Sequence, residues 1–174
     1  IIEETSSLIL GNAMEIKEEL IDSNGVISYK EVIIEDIFDI KKGLSKYTNA
    51  FIKKNGGKYP LYSSQTINDG VIGLINSYDY DYKCITWTTD GIYAGTVFVR
   101  NGKFTMTTHC GALIPKSNNL ELDLDYIYSF LSEHLRSYAK GDQNKRVTVD
   151  IIKNIKIKIP ITSSGDFDLQ KQKE

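Results

Sequence analysis

Between residues 59 and 115 the chain sets down six short apolar segments, at 59–62, 71–75, 84–88, 96–100, 103–106 and 112–115. Each is shorter than an ordinary helix. Turn-forming residues separate them: Asn68-Asp69-Gly70, Asp90-Gly91 and Asn101-Gly102. This pattern restricts the middle of the chain to strands joined by tight connections. Asn101-Gly102, flanked by two apolar runs, predicts a two-residue hairpin, because both central positions of such a turn need positive φ.

The flanks follow another rule. Leu8, Ile9, Ala13, Ile16 and Leu20 recur three or four residues apart, which predicts an amphipathic helix over 3–21, interrupted near Gly11-Asn12. A turn is expected at 22–25. From 29 to 40 the Val, Ile and Phe content suits a strand, a helical turn and a second strand. Ser45 is placed to cap a short helix over 46–55, ended by Gly56-Gly57. Leu124, Ile127, Tyr128, Leu131 and Leu135 restore a helical period, with Asp123 or Asp125 at its start. Thr148 can cap a short helix over 149–153. Ile155, Ile157 and Ile159 alternate with Lys156 and Lys158, a half-exposed strand ending at Pro160. After a turn at 163–165, Asp168 opens a last helix. The fold class is therefore α+β: a small, mixed, β-rich sheet or half-barrel with flanking helices, a helical lead and the start of a C-terminal helix. Trp87, Phe98, Cys110 and Ile159 are expected in the core.

Composition fits one globular unit. Of 174 residues, 41% are hydrophobic and 25% charged. No apolar run approaches the 18 or so residues of a membrane span, and the opening Ile1-Ile2-Glu3-Glu4 lacks the form of a signal peptide. The opening without Met, and an end inside an incipient helix, suggest a piece of a longer polypeptide. Cys84 and Cys110 are too few for a disulfide framework or a metal cage, and read as small core residues in a reducing, cytoplasmic setting.

The net charge of −2 conceals a division. Residues 1–40 carry ten acids and two lysines, and the rest carries thirteen acids against nineteen Lys and Arg. Six lysines and no acid lie between 41 and 58, and Lys140, Lys145 and Arg146 form a second basic group. An acidic lead ahead of a basic body suggests a polyanionic partner for the body alone.

Catalytic patterns are missing. There is no Gly-x-Ser-x-Gly, P-loop, dinucleotide-binding glycine motif or Asp-Pro-Pro-Tyr, and Thr108-His109-Cys110 offers two adjacent metal-binding types that a strand would point apart. His109 reads as a hydrogen-bonding structural residue. Asp79/Asp81 and Asp123/Asp125 suit turns and helix starts. Recognition chemistry is better represented. Three loops, at 62–68, 86–93 and 141–146, concentrate Ser, Thr, Asn, Gln, Tyr, Lys and Arg, the residue types that bond to phosphates and base edges.

The same stretches carry a family likeness. The run 36–43 (Asp-Ile-Phe-Asp-Ile-Lys-Lys-Gly) resembles the opening of a target-recognition domain from type I restriction–modification specificity subunits. So do Tyr59-Pro60-Leu61-Tyr62-Ser63-Ser64-Gln65 and Gly70-Val71-Ile72-Gly73. The central block 85–98, then Gly102-Lys103-Phe104 and 107–113, are similar to that family too, as is the tail from Asn144-Lys145-Arg146-Val147-Thr148 to Pro160. The likeness covers about 30–162. Residues 163–174 resemble the start of the spacer helix that follows such domains, and 1–29 form an acidic lead outside the likeness.

The resemblance implies a non-catalytic DNA-reading module. It would recognise one half of a split duplex site, with a second such domain reading the other. Related domains also end fused methyltransferase–nucleases. Adenine methylation and cleavage would fall to methyltransferase and restriction subunits, to which S-adenosylmethionine, Mg and ATP would belong; the chain itself would hold no cofactor or metal. On this reading Lys41, Lys42, Lys46, Lys140, Lys145 and Arg146 meet phosphates. Ser63, Ser64, Gln65, Thr66, Asn68, Thr88, Thr89, Tyr93, Gln143 and Asn144 are candidates for base reading. Two other classes stand beside it: a module that binds a methyltransferase subunit or a DNA-mimic protein without reading sequence, and a hydrolase without a recognisable motif.

Overall fold

The structure, a computed structural model, describes residues 20–22, 25–116 and 121–174. Strand β1 (Leu20–Asp22) pairs with β2 (Gly25–Ile33), so Leu20 and Ile21, the end of the expected lead helix, are extended; the remainder of that helix lies outside the described residues. One helical turn, α1 (Ile34–Ile37), then leads into β3 (Phe38–Lys42), the order the sequence predicts.

The next helix is shorter than expected. Thr48, not Ser45, caps α2 (Asn49–Lys54): its Oγ1 accepts from the Phe51 amide at 3.2 Å. Gly56 and Gly57 do not terminate it but begin β4 (Gly56–Tyr62). A 3₁₀ turn at Asn68–Gly70 precedes β5 (Val71–Ile75), and β6 (Tyr80–Thr88) follows.

The Asn101-Gly102 hairpin does not form. Val97–Met106 is one strand, β7, antiparallel to β6 from Trp87↔Val97 to Tyr80↔Phe104, with Lys83 opposite Asn101 and Tyr82 opposite Gly102. Gly102 does take φ +99°, but the nine-residue partner strand satisfies its neighbours' backbone groups and carries the chain straight on. The reversal falls instead in residues 89–96.

Strand β8 (Cys110–Pro115), helix α3 (Leu124–His134) with a 3₁₀ extension Leu135–Tyr138, helix α4 (Val149–Ile152), strand β9 (Lys156–Ile161) and helix α5 (Leu169–Gln172) complete the chain. Their caps are the expected ones, Asp123, Thr148 and Asp168. The strands form two sheets, β1-β2-β9 and β3-β8-β6-β7-β4-β5. The larger is mixed, since β4 runs parallel to β7 and its other pairs are antiparallel.

Ile127 and Leu131 of α3, Ile85 and Trp87 of β6, Leu113 of β8 and Ile157 and Ile159 of β9 meet in the main core. Cys84, Phe104, Met106, Cys110 and Ala112 form a second cluster. Phe98, expected in the core, is only half-buried. Trp87 is fully buried and its Nε1–H donates to the Val147 carbonyl at 2.9 Å. Its ring lies over Gly111, its cross-strand partner, where a Cβ would come within 2.1 Å of the indole. Only glycine permits that approach.

Candidate nucleic-acid interface

The turn at 107–109, between β7 and β8, organises the candidate site. Thr107 N–H donates to the Tyr62 carbonyl at 3.0 Å, and the Ser63 and Thr107 hydroxyls lie 2.9 Å apart, which brings in the first polar loop. Thr89 N–H donates to the His109 carbonyl at 2.9 Å and its hydroxyl to the Thr108 carbonyl at 3.3 Å, which brings in the second. The third is stitched to the second: Val147 N–H donates to the Thr89 carbonyl, and Gly91 N–H to the Lys145 carbonyl. Loops separated by tens of residues thus lie side by side.

Beside this turn opens a cleft of about 310 Å³, lined by Lys42, Gly43, Thr89, Asp90, Thr108, His109, Arg146, Thr148 and Val149. Of the residues singled out from sequence, it unites Lys42, Thr89 and Arg146. Lys140 joins through reciprocal backbone bonds with Arg146, 2.9 and 2.8 Å, which close the loop carrying Gln143, Asn144 and Lys145, all exposed. Gly141 holds that closure at φ +110°, where an added Cβ would stand 2.5 Å from the Asn144 carbonyl oxygen. Tyr93 is also exposed, with the Arg136 guanidinium 5.7 Å from its ring centroid.

Other candidates are placed differently. Thr88 is buried; its hydroxyl donates to the Tyr93 carbonyl at 2.6 Å and accepts from the Thr96 amide at 3.1 Å. The Gln65 side-chain amide donates to the Val71 carbonyl, as does that of Asn68 at 3.3 Å, so both brace their own loop. Ser64 and Thr66 are half-buried. Lys41 is exposed on β3 but alternates away from Lys42. Lys46 sits 4.0 Å from the Asp79 carboxylate and 4.9 Å from the Tyr47 ring centroid, outside the cleft.

From sequence, Asp90 read only as a turn residue in a polar loop and Thr148 only as a helix cap, while Thr108, Arg100 and Arg136 carried no site role. His109 Nδ1 lies 2.9 Å from both carboxylate oxygens of Asp90. This bond gives His109 the hydrogen-bonding role expected of it, and also sets it in the wall of the cleft. The one signal for Arg136 was a cation at the end of a helix; for Arg100, a lone cation inside an apolar strand. Burial pushes the thiols of Cys84 and Cys110 up to about 12, so neither supplies a thiolate near neutral pH. Among the described residues no three His, Cys, Asp or Glu side chains assemble as a metal set.

The family profile described as the type I restriction modification DNA specificity domain matches residues 27–173. The chain belongs to that family. It is 44% identical over 94 residues to the specificity subunit of the type I restriction enzyme MpnII from Mycoplasma pneumoniae, covering 54% of this chain and 28% of the relative. A second M. pneumoniae sequence, named for the N-terminus of a type I specificity subunit, is 49% identical over 107 residues, 61% of this chain and 53% of that one. Among solved structures, the S subunit of a type I system from M. genitalium superimposes with a TM-score of 0.65 at 21% identity, over 83% of this chain and 37% of that subunit. The HsdS subunit from Thermoanaerobacter tengcongensis gives 0.61 at 13% identity, over 99% and 41%. These structural likenesses speak for the specificity-domain fold. The chain spans about a quarter to a half of the curated relatives it matches. Among the described residues no helix is long and apolar enough to cross a membrane.

Proposed function

We propose that this specificity domain reads one short half-site of a duplex DNA target, and so directs partner subunits of a restriction–modification system to methylate adenine or cleave. The observation that carries this reading is the meeting of three polar loops at the 107–109 turn, beside a cleft that holds Lys42 and Arg146. Loops on a sheet can enter a groove while cations at their base grip the strands. In this role Lys42, Lys140, Lys145 and Arg146 meet phosphates. Thr89, Tyr93, Gln143 and Asn144 face base edges, as do Ser64 and Thr66 of the first loop. The domain performs no chemistry; S-adenosylmethionine, Mg and ATP serve the partners, and a second such domain reads the other half-site. Residues 30–162 form the reading unit, with 163–174 as the start of the spacer.

The test is selection by this chain from a pool of random-sequence duplexes, with affinity measured against salt. A short selected motif and a steep salt dependence are expected. Binding that is weak, salt-insensitive and without a motif, with tight binding to a methyltransferase subunit alone, favours the protein-interaction module instead.

A further inference from the structure

Arg100 is the only charged residue between Val97 and Met106 apart from Lys103, and it is 6% exposed. It lies opposite Cys84 on the sheet, on the face of the second hydrophobic cluster. A buried guanidinium is ordinarily matched by a carboxylate. The direct hydrogen-bonding and stacking partners of Arg100 are neutral, and the Asp69 carboxylate attracts it without a direct ion pair. Its Nε–H donates to the Thr86 hydroxyl at 3.0 Å, and an Nη2–H donates to the Asp69 backbone carbonyl at 2.7 Å. Its planar face lies 3.6 Å from the Tyr62 ring centroid and 4.4 Å from that of Phe98. Burial draws its pKa below the ordinary arginine value, yet arginine stays protonated at neutral pH.

The group it holds is unusual. Asn68 and Asp69 both have φ +50°, and Gly70 follows at +80°. Consecutive left-handed residues, two of them bearing side chains, need outside support. Above them Ile67 stands 74% exposed at the loop tip. Arg100 thus joins the sheet floor, through Thr86, to the strained crown of the 63–70 loop.

We propose that Arg100 is a specificity-positioning residue: from beneath, it fixes the backbone shape of the 63–70 loop, and through that shape the bases the loop selects, without touching DNA. This rests on the reading of that loop as part of a DNA-recognition surface. Lysine cannot replace it, having neither a planar face to stack nor a fork to bridge two acceptors.

Wild-type chain, Arg100→Lys and Tyr62→Leu are each selected on the random-duplex pool, with affinity for the unselected pool measured alongside and amide exchange followed in 63–70. Tyr62→Leu removes the stacking ring but keeps both hydrogen bonds, and so carries the test if Arg100→Lys fails to fold. Expected are faster exchange confined to the loop and at least tenfold lower discrimination at one or two positions of the motif. Affinity for the unselected pool should stay within twofold. Variants that keep the wild-type motif and its discrimination overturn the inference, as does an equal loss on selected and unselected duplexes. A wild-type chain that selects no motif overturns the DNA reading itself, an outcome visible before any variant is made.

Discussion

The imidazole of His109 is held by the carboxylate of Asp90, with Nδ1 2.9 Å from each oxygen, and both residues line the cleft that contains Lys42 and Arg146. An ionised carboxylate only accepts, so Nδ1 is the donor in this bond. Asp90 also brings one negative charge into the cleft proposed to meet phosphates. Asp90→Asn keeps the shape and removes that charge. Affinity for random-sequence duplex should then rise about two- to fivefold at low salt, the scale of a partly exposed charge interaction. Fluorescence anisotropy reads the change, and an unchanged or weaker affinity would place the phosphates elsewhere.

The cations should separate by position. Lys42 and Arg146 line the cleft, whereas Lys46 is engaged near Asp79. Each phosphate contact removed lowers the slope of log K against log salt by about 0.9. Lys42→Ala and the double change of Lys145 and Arg146 to Ala should each weaken binding to every sequence and flatten that slope. Lys46→Ala should leave it nearly unaltered. Equal slopes for all four proteins would remove the cleft from the interface.

What could be read in the sequence was local. Thr148 and Asp168 were legible as caps because a cap needs only an oxygen and the following amides. Strand β9 was legible because Ile and Lys alternate over five residues. Asn101-Gly102 misled because the turn preference of two residues is weaker than a ladder of eight residue pairs with β6, whose pairing cannot be seen locally. Within the site, Lys42, Thr89 and Arg146 were found by residue type alone. Thr88 and Gln65 have the same chemistry but spend it on backbone carbonyls. The Asp90–His109 and Arg100–Asp69 contacts join residues 19 and 31 apart, and depend on loop positions that only the sheet supplies.

The two cysteines give a pH prediction. Both thiols are buried and keep their protons up to about 12, while an unfolded thiol ionises from about 9. With folded values above the unfolded ones, the contribution to stability is complete below pH 9 and declines as pH rises from about 9 to 12, because the unfolded chain releases protons that the fold retains. Denaturant midpoints should therefore fall across that window, and less so in Cys84→Ser. At pH 8 a thiol reagent should label neither cysteine until denaturant is added; rapid labelling of the folded chain would contradict their burial.

The Trp87 indole rests directly on Gly111. A methyl group at 111 would stand 2.1 Å from the indole, and β8 cannot retreat because it is paired on both sides, to β3 and β6. In Gly111→Ala the ring must move, and its Nε1–H bond to the Val147 carbonyl goes with it. Val147 ends the segment that carries Gln143 to Arg146, so the damage should extend from the core to the interface. Overpacking of this kind costs about 1–3 kcal/mol, and Trp87→Ala about 3–5 kcal/mol through the cavity it leaves. Because Trp87 is the single tryptophan, its emission reports directly on the contact. Gly111→Ala should shift that emission to the red, lower the denaturation midpoint and weaken DNA binding together; wild-type emission and stability in that variant would show that the indole does not rest on Gly111.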